Sequence, residues 1–280
     1  MTKIQNPKQL LKQFGIKPSK RLGQNFLIDK SILKKIIEAS ELSPKDIVLE
    51  IGPGLGILTL ELAKQVKKVI AVEKDRKMCE ILKNVLFVED VINVVVVQGD
   101  ILQFQQLKQL QQLKQYKLVA NLPYYITSPV IRKFLEAENR PELMVLMIQK
   151  EVAQRICAKP PHMNLLAVAV QFYASSPHQK FGVGTSPKII SYVSKKSFWP
   201  IPKVDSAIIK IIPRKSALLS ALFRDKFFEL VKAGFSSKRK MLKNNIPGID
   251  FEKIGLNPKI RAENLLIEEW LRVFHNLYFS

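Results

Sequence analysis

Four polar clusters in the first half of the chain each follow a short apolar run, and together they could hold a nucleoside. The first is Glu50-Ile51-Gly52-Pro53-Gly54-Leu55-Gly56. Its glycines let the backbone turn tightly and approach a ligand, with the N-terminus of the next helix facing it. The spacing is G-x-G-x-G with Ile at position 57, which departs from the dinucleotide pattern G-x-G-x-x-G. The second is Glu73, 21 residues after Gly52, where an acid can accept hydrogen bonds from ribose hydroxyls. The third is Asp100, closing "QGD" and placed to accept from the amino group of a bound adenine. The fourth, "NLPYYITSP" at 121–129, puts an amide, a proline and two aromatics where a strand should end. Each has an ordinary structural reading: a capping acid, a turn aspartate, an Asn-x-Pro that breaks a strand. In this order, one after each apolar run, they form a specific constellation.

The apolar pattern predicts the elements that must position them. A basic arm leads to a helix in "DKSILKKIIEASEL". "IVLEIGPGLGILTLELAKQV" reads as strand, glycine turn and helix; "KVIAVEKD" is a second strand, followed by a helix through "RKMCEILKNVL". "NVVVVQGD", "KLVANL" and "ELMVLMIQK" are further strands, "SPVIRKFLEA" a helix, and the Gln-rich "QFQQLKQLQQLKQ" a solvated helix or turn. "EVAQRICA" and "NLLAVAVQFYA" look helical, whereas "KIISYVS" and "SAIIKIIP" look like two more strands. Strands alternating with helices indicate a mostly parallel sheet covered on both faces. The last two strands have no good helix between them and should form a hairpin, making one strand antiparallel at the sheet edge. From about Ser216 the pattern is helical, including "SSKRKMLKNN". In such a sheet, ligands sit outside the carboxyl ends of the strands, where all four clusters fall.

Charge identifies the class of partner. Lys and Arg number 45 against 24 Asp and Glu, and a balance of +21 exceeds what solubility requires. Residues 1–28 hold six cations and no acid; no acid stands between Glu151 and Asp205, or between Glu229 and Asp250. Three separate acid-free tracts favour nucleic acid over a generally Lys-rich composition. No apolar stretch approaches the roughly 18 residues a membrane span needs. The N-terminus lacks the apolar core of a signal peptide, and Cys79 and Cys157 lack CxxC spacing, so a cytoplasmic protein with reduced cysteines is expected. Three scattered His and two Cys support no metal site.

The motifs "GQNFL" (23–27), "EIGPGLGILT" (50–59), "VEKD" (72–75), "GDIL" (99–102), "NLPYYITSP" (121–129), "QKEVAQR" (149–155) and "FWPIPKVDSA" (198–207) run through most of the chain. They resemble those of the S-adenosylmethionine-dependent N6-adenine methyltransferases, and more narrowly the ribosomal RNA adenine dimethyltransferases that act on small-subunit RNA. The resemblance implies an α/β fold: a Rossmann-like class I methyltransferase sheet with one antiparallel edge strand and a small all-α C-terminal domain. It divides the chain into a basic arm (1–26), a methyltransferase domain (27–214) and a helical RNA-binding domain (215–280).

Carried over to this sequence, the resemblance assigns S-adenosylmethionine to Asn25, Leu27, Gly52, Glu73, Asp100 and Asn121, with Glu50 orienting the methionine amino group. It assigns the reaction to Asn121, Leu122, Pro123, Tyr124 and Phe198. The Asn121 side-chain oxygen and the Leu122 carbonyl grip the adenine amine, Pro123 aims them at one point, and Tyr124 and Phe198 close on the two faces of the base. The competing reading of Phe198 is a core aromatic. The expected partner is small-subunit rRNA or a pre-30S particle, bound by a monomer. One region departs from the pattern: "PHMN" enters its helix directly, while "SPHQKFGVGTSP" follows that helix and holds Phe181-Gly182 on the wrong side. Rival readings are a dehydrogenase, disfavoured by the glycine spacing; a 23S methyltransferase conferring antibiotic resistance; and a non-catalytic RNA-binding factor. The single Pro123 argues against a DNA adenine methyltransferase, which carries two prolines there.

Overall fold

A computed structural model describes residues 7–106, 113–174, 187–214 and 221–279. Seven strands form one sheet: β1 (Ile47–Ile51), β2 (Lys68–Glu73), β3 (Val94–Gln98), β4 (Lys117–Asn121), β5 (Leu143–Gln149), β6 (Lys188–Val193) and β7 (Ser206–Ile211). Their order is β3-β2-β1-β4-β5-β7-β6. Strands β1 to β5 pair in parallel, while β7 runs antiparallel to both β5 and β6. The antiparallel strand therefore lies one place in from the edge, and β6 is the edge itself. Side-chain burial explains this: all six residues of β7 are buried, whereas β6 carries exposed positions such as Lys188 and Tyr192. Consecutive buried residues in β1, β4 and β5 show that both faces of the sheet are covered, because successive side chains point to opposite faces.

The strand-to-helix connections follow local chemistry. Helices α1 (Pro7–Gln13) and α2 (Lys30–Ala39) precede the sheet; Asp29 caps α2 by accepting from the Ser31 and Ile32 amides. Helix α3 (Ile57–Ala63) follows β1, α4 (Arg76–Val88) follows β2 with Asp75 as its cap, and α5 (Thr127–Glu136) follows β4. A two-residue ribbon pairs Phe26 with Trp199 and Leu27 with Phe198, fastening the arm to the segment before β7. At the strand ends away from the glycine turn, Lys117 bonds Asp46 at 2.8 Å and also the Glu41 carbonyl, while buried Lys210 pairs with the Glu41 carboxylate. Of the Gln-rich segment, Ile101–Gln106 is 3-10 helix and residues 107–112 lie outside the described residues. Phe181-Gly182 also lies outside them.

Two compact units emerge: residues 1–153 with 188–213, and residues 154–187 with 214–280. Helix α6 (Lys150–Ile156) straddles that boundary. Helix α7 (Leu165–Ala174), which the sequence grouped with the sheet, joins the tail because seven of its ten residues are buried and its aromatics need partners there. Phe172 stacks on Phe227 of α8 (Ala221–Gly234) at 4.7 Å. A short α9 (Leu242–Asn245) and α10 (Ile267–Tyr278) complete this unit, with Trp270 fully buried. The basic run does not continue as a helix. Lys238, Arg239 and Lys240 form an exposed turn, because the Asn245 amide folds back to donate to the Gly234 and Ser237 carbonyls at 2.7 and 3.2 Å.

Candidate active site

The carboxyl ends of β1, β2, β3 and β4 open into one cavity in the sheet-bearing unit, also lined by the arm from Leu22 to Leu27 and by Phe198. The glycine turn brings backbone to its wall. Gly54 has φ +54°, the left-handed region that favours glycine, and a Cβ there would stand 3.1 Å from the Phe26 ring, a tight contact. The Gly54 amide donates to Glu73 Oε2 at 3.2 Å, and the Asp75 amide donates to Oε1 at 2.9 Å. Those bonds hold the Glu73 carboxylate, 9% exposed, at the cavity wall, while burial pushes its pKa above the ordinary value. Deeper still, Glu50 is 1% exposed with Oε2 unpartnered among the described residues; burial raises its carboxyl to about 8.

Asp100 is held differently. Lys74 Nζ donates to Oδ2 at 2.8 Å and the Leu102 amide to Oδ1 at 2.9 Å. The Lys74 hydrogen bond lowers the Asp100 pKa, so this acid stays ionised. Glu73 and Asp100 thus present fixed acceptors on neighbouring strands, with Glu73 paired to Gln98 in register.

Asn121 ends β4. Its amide nitrogen donates to the Asn25 backbone carbonyl at 3.3 Å. A carbonyl only accepts, so this contact decides which end of the Asn121 amide faces the arm. The side-chain oxygen is the opposite end of that amide. The Leu122 amide donates to the Met147 carbonyl at 3.1 Å, which ties the backbone at Leu122 to β5. Pro123 has φ −55° and ψ 130°, turning the chain into the 3-10 segment Tyr124–Ile126. The Tyr124 hydroxyl shares a 2.8 Å hydrogen bond with Ser206 of β7, fixing the ring. Burial raises its pKa.

Asn25, Leu27, Gly52, Glu73, Asp100, Asn121, Leu122, Pro123, Tyr124 and Phe198 all line this one cavity, as does Glu50. Phe198 is 2% exposed and packs in the hydrophobic core with Leu27 and Ile208, the place expected of a core aromatic, while also lining the cavity. Three positioning contacts escaped the sequence. Gln24 donates to Asp75 Oδ2 at 2.8 Å, Ser206 holds Tyr124, and Lys74 holds Asp100. Gln24 and Ser206 stand inside motifs that were singled out, but their partners are 51 and 82 residues away in the chain. Among the described residues no group of three or more His, Cys, Asp or Glu could hold a metal, and no helix is long and apolar enough to cross a membrane.

A Rossmann-like sheet with strand-end acceptors and an Asn-Leu-Pro-Tyr turn defines a class I methyltransferase fold. The chain belongs to the ribosomal RNA adenine dimethylase family, whose model matches residues 15–278. It is 41% identical over 276 residues to "Ribosomal RNA small subunit methyltransferase A" of Dehalococcoides mccartyi, covering 95% of this chain and 90% of that one. The protein of the same name from Clostridium botulinum is 37% identical, with 98% of each covered. Among solved structures, the 23S rRNA methyltransferase ErmE is similar with a TM-score of 0.72 and 26% identity, covering 90% of this chain and 99% of that one. A dimethyladenosine transferase from Plasmodium falciparum gives 0.70 and 28%, with 89% and 95% covered.

Proposed function

We propose that this protein transfers methyl groups from S-adenosylmethionine to N6 of adenosines in small-subunit ribosomal RNA. The targets in this reading are two adjacent adenosines of a 3′-terminal 16S hairpin, each dimethylated, on a pre-30S particle, by a cytoplasmic monomer. What supports it is that Asn121 and Leu122 line the cavity at the end of β4 while the Asn121 amide nitrogen is taken by the Asn25 carbonyl, so that in this reading the side-chain oxygen is the end offered to the substrate amine. The residues fit the cofactor. Glu73 offers ribose two anchored acceptor oxygens, Asp100 offers an ionised acceptor to the adenine amine, and the turn at Gly52–Gly54 admits a close ligand.

When bound, S-adenosylmethionine supplies an electrophilic methyl on a sulfonium. The protein's own work concerns the nucleophile. An exocyclic adenine amine is weakly nucleophilic because its lone pair is delocalised into the ring. At the first transfer the Asn121 oxygen and Leu122 carbonyl accept its two hydrogens, and at the second one of them accepts the remaining hydrogen. Each time they favour a pyramidal nitrogen with the lone pair free, and the proton displaced by the methyl leaves to water. Tyr124, anchored by Ser206, stacks on a base that has left its helix. Positioning and fixed dipoles then suffice without a strong base. The cationic turn Lys238-Arg239-Lys240 and the basic N-terminal arm serve RNA phosphates. Relatives named for the small subunit are 37–41% identical, against 26% for ErmE, which supports the small-subunit substrate.

The test is to incubate unmethylated small subunits with labelled S-adenosylmethionine and map the modified nucleotides. Label on N6 of adjacent adenosines near the 16S 3′ end is expected. No label on the small subunits, with label instead on naked 23S RNA incubated in parallel or on neither, would overturn the reading.

A further inference from the structure

We infer that Lys74 is a positioning residue for nucleobase recognition: held 2.8 Å from Asp100 Oδ2, it sets how the Asp100 carboxylate meets the exocyclic amine of an adenine. The inference rests on the proposed reading of the cavity as an S-adenosylmethionine site.

The two oxygens of Asp100 are held by different means. Oδ1 takes the Leu102 amide from its own turn, 2.9 Å away. Oδ2 takes Lys74, a donor from the neighbouring strand end. A carboxylate rotates about χ2 in a broad well, so one local donor leaves its plane free to swing. A second donor on the other oxygen fixes that plane and hence the direction of the remaining lone pairs. The register pairs Glu73 with Gln98, so Lys74 projects beside Gly99 and Asp100. The ribose acceptor Glu73 and the clamp on the base acceptor are therefore consecutive residues.

Charge points the same way. Glu50, Glu73 and Asp100 all line the cavity, and among the described residues lining it Lys74 is the one Lys or Arg. With side-chain exposures of 54% and 24%, the pair contributes little to fold stability, so its value lies in where it holds the acid. Each partner shifts the other in the charge-preserving direction: Asp100 is lowered and Lys74 raised by their hydrogen bond. An ionised, fixed carboxylate attracts the 6-amino group of adenine and repels the 6-oxo group of hypoxanthine. Lys74 thereby sharpens adenine selectivity.

Calorimetry tests this with S-adenosylhomocysteine and its deaminated analogue, S-inosylhomocysteine, on the full chain. Lys74→Met should weaken the adenosyl ligand about tenfold and the inosyl ligand less than twofold, with Lys74→Arg restoring most of the difference. Unchanged adenosyl affinity in Lys74→Met, or an equal loss for both ligands, would overturn the inference, since a purely structural or long-range role moves both alike. Asp100→Asn separates this from the underlying reading. It should abolish the discrimination; if it does not, Asp100 does not read the base and the cofactor assignment at that strand end fails first.

Discussion

Replacing Asn121 with Ala removes two contacts whose effects fall on different measurements. In the proposed mechanism the side-chain oxygen is the acceptor that strengthens as the amine nitrogen pyramidalises, so its loss acts on the transition state. A comparable preorganised group costs roughly 10²–10³ in rate, about 2.7–4 kcal/mol. The amide nitrogen donates to the Asn25 carbonyl at 3.3 Å, a long neutral hydrogen bond to the arm. Such a bond contributes about 0.5–1.5 kcal/mol, so loosening the arm should weaken the cofactor by roughly an order of magnitude at most. Single-turnover methylation at saturating RNA and cofactor isolates the first effect; calorimetry isolates the second. Asn121→Asp separates them chemically, because it keeps an acceptor for the amine but sets an oxygen against the Asn25 carbonyl. It should retain more of the rate than Ala while losing at least as much cofactor affinity. Near wild-type single-turnover rate in Asn121→Ala would refute the mechanism and leave "NLPYY" as a strand-ending turn.

Glu73→Ala removes charge-assisted acceptors and should weaken S-adenosylmethionine by about 1.5–3 kcal/mol in calorimetry; unaltered affinity would reject it as the ribose ligand. Reversing the charges of Lys238, Arg239 and Lys240 should weaken subunit binding and flatten its salt dependence while cofactor affinity holds, whereas an unchanged salt slope would make the turn a mere solvated surface. Acid should loosen the fold through Glu41 and Asp46. The hydrogen bond from Lys210 lowers Glu41; for Asp46, burial pulls upward, but the bonds from Lys117 and the Ser43 amide outweigh it. Both folded pKa values lie below the unfolded ones, so this stability is full above about pH 4.5 and is lost as pH falls through the folded values. Asp46→Ala should cost about 1–3 kcal/mol in urea unfolding at pH 7 and reduce the acid sensitivity; an unchanged acid limb would remove the network from the account.

The strand ends were legible because Glu50, Glu73, Asp100 and Asn121 recur in order where the apolar runs end; each alone has an ordinary reading, and the succession is what marks them. The place of β7 was not legible. "SAIIKII" and "KIISYVS" are both apolar, and what separates centre from edge is burial on two faces, which depends on partners far away in the chain. The turn at 238–240 was misread for a similar reason: its residues tolerate a helix, but the Asn245 amide satisfies the Gly234 carbonyl and ends α8 first. Gln24, Lys74 and Ser206 were invisible as positioning groups because such a role is defined by the hydrogen-bond partner, and no local spacing records partners 51, 26 or 82 residues away.

The arm and the strand-four turn act as one unit, and the hydrogen bonds say why. Asn25 sits among the proposed cofactor ligands, yet its backbone carbonyl is what orients the Asn121 amide. Asn25 in turn bonds back to the Gly23 carbonyl at 3.1 Å, and Gln24 ties the same stretch to Asp75, the cap of α4, two residues beyond Glu73. The Leu27–Phe198 pairing carries the arm onward to the aromatic proposed for the target base. An arm displaced from the cavity would therefore release the amide proposed to grip the nucleophile as well as the cover proposed for the cofactor. If the site works as proposed, by preorganised acceptors rather than by a strong base, that linkage confines the reactive geometry to the state in which the arm is docked.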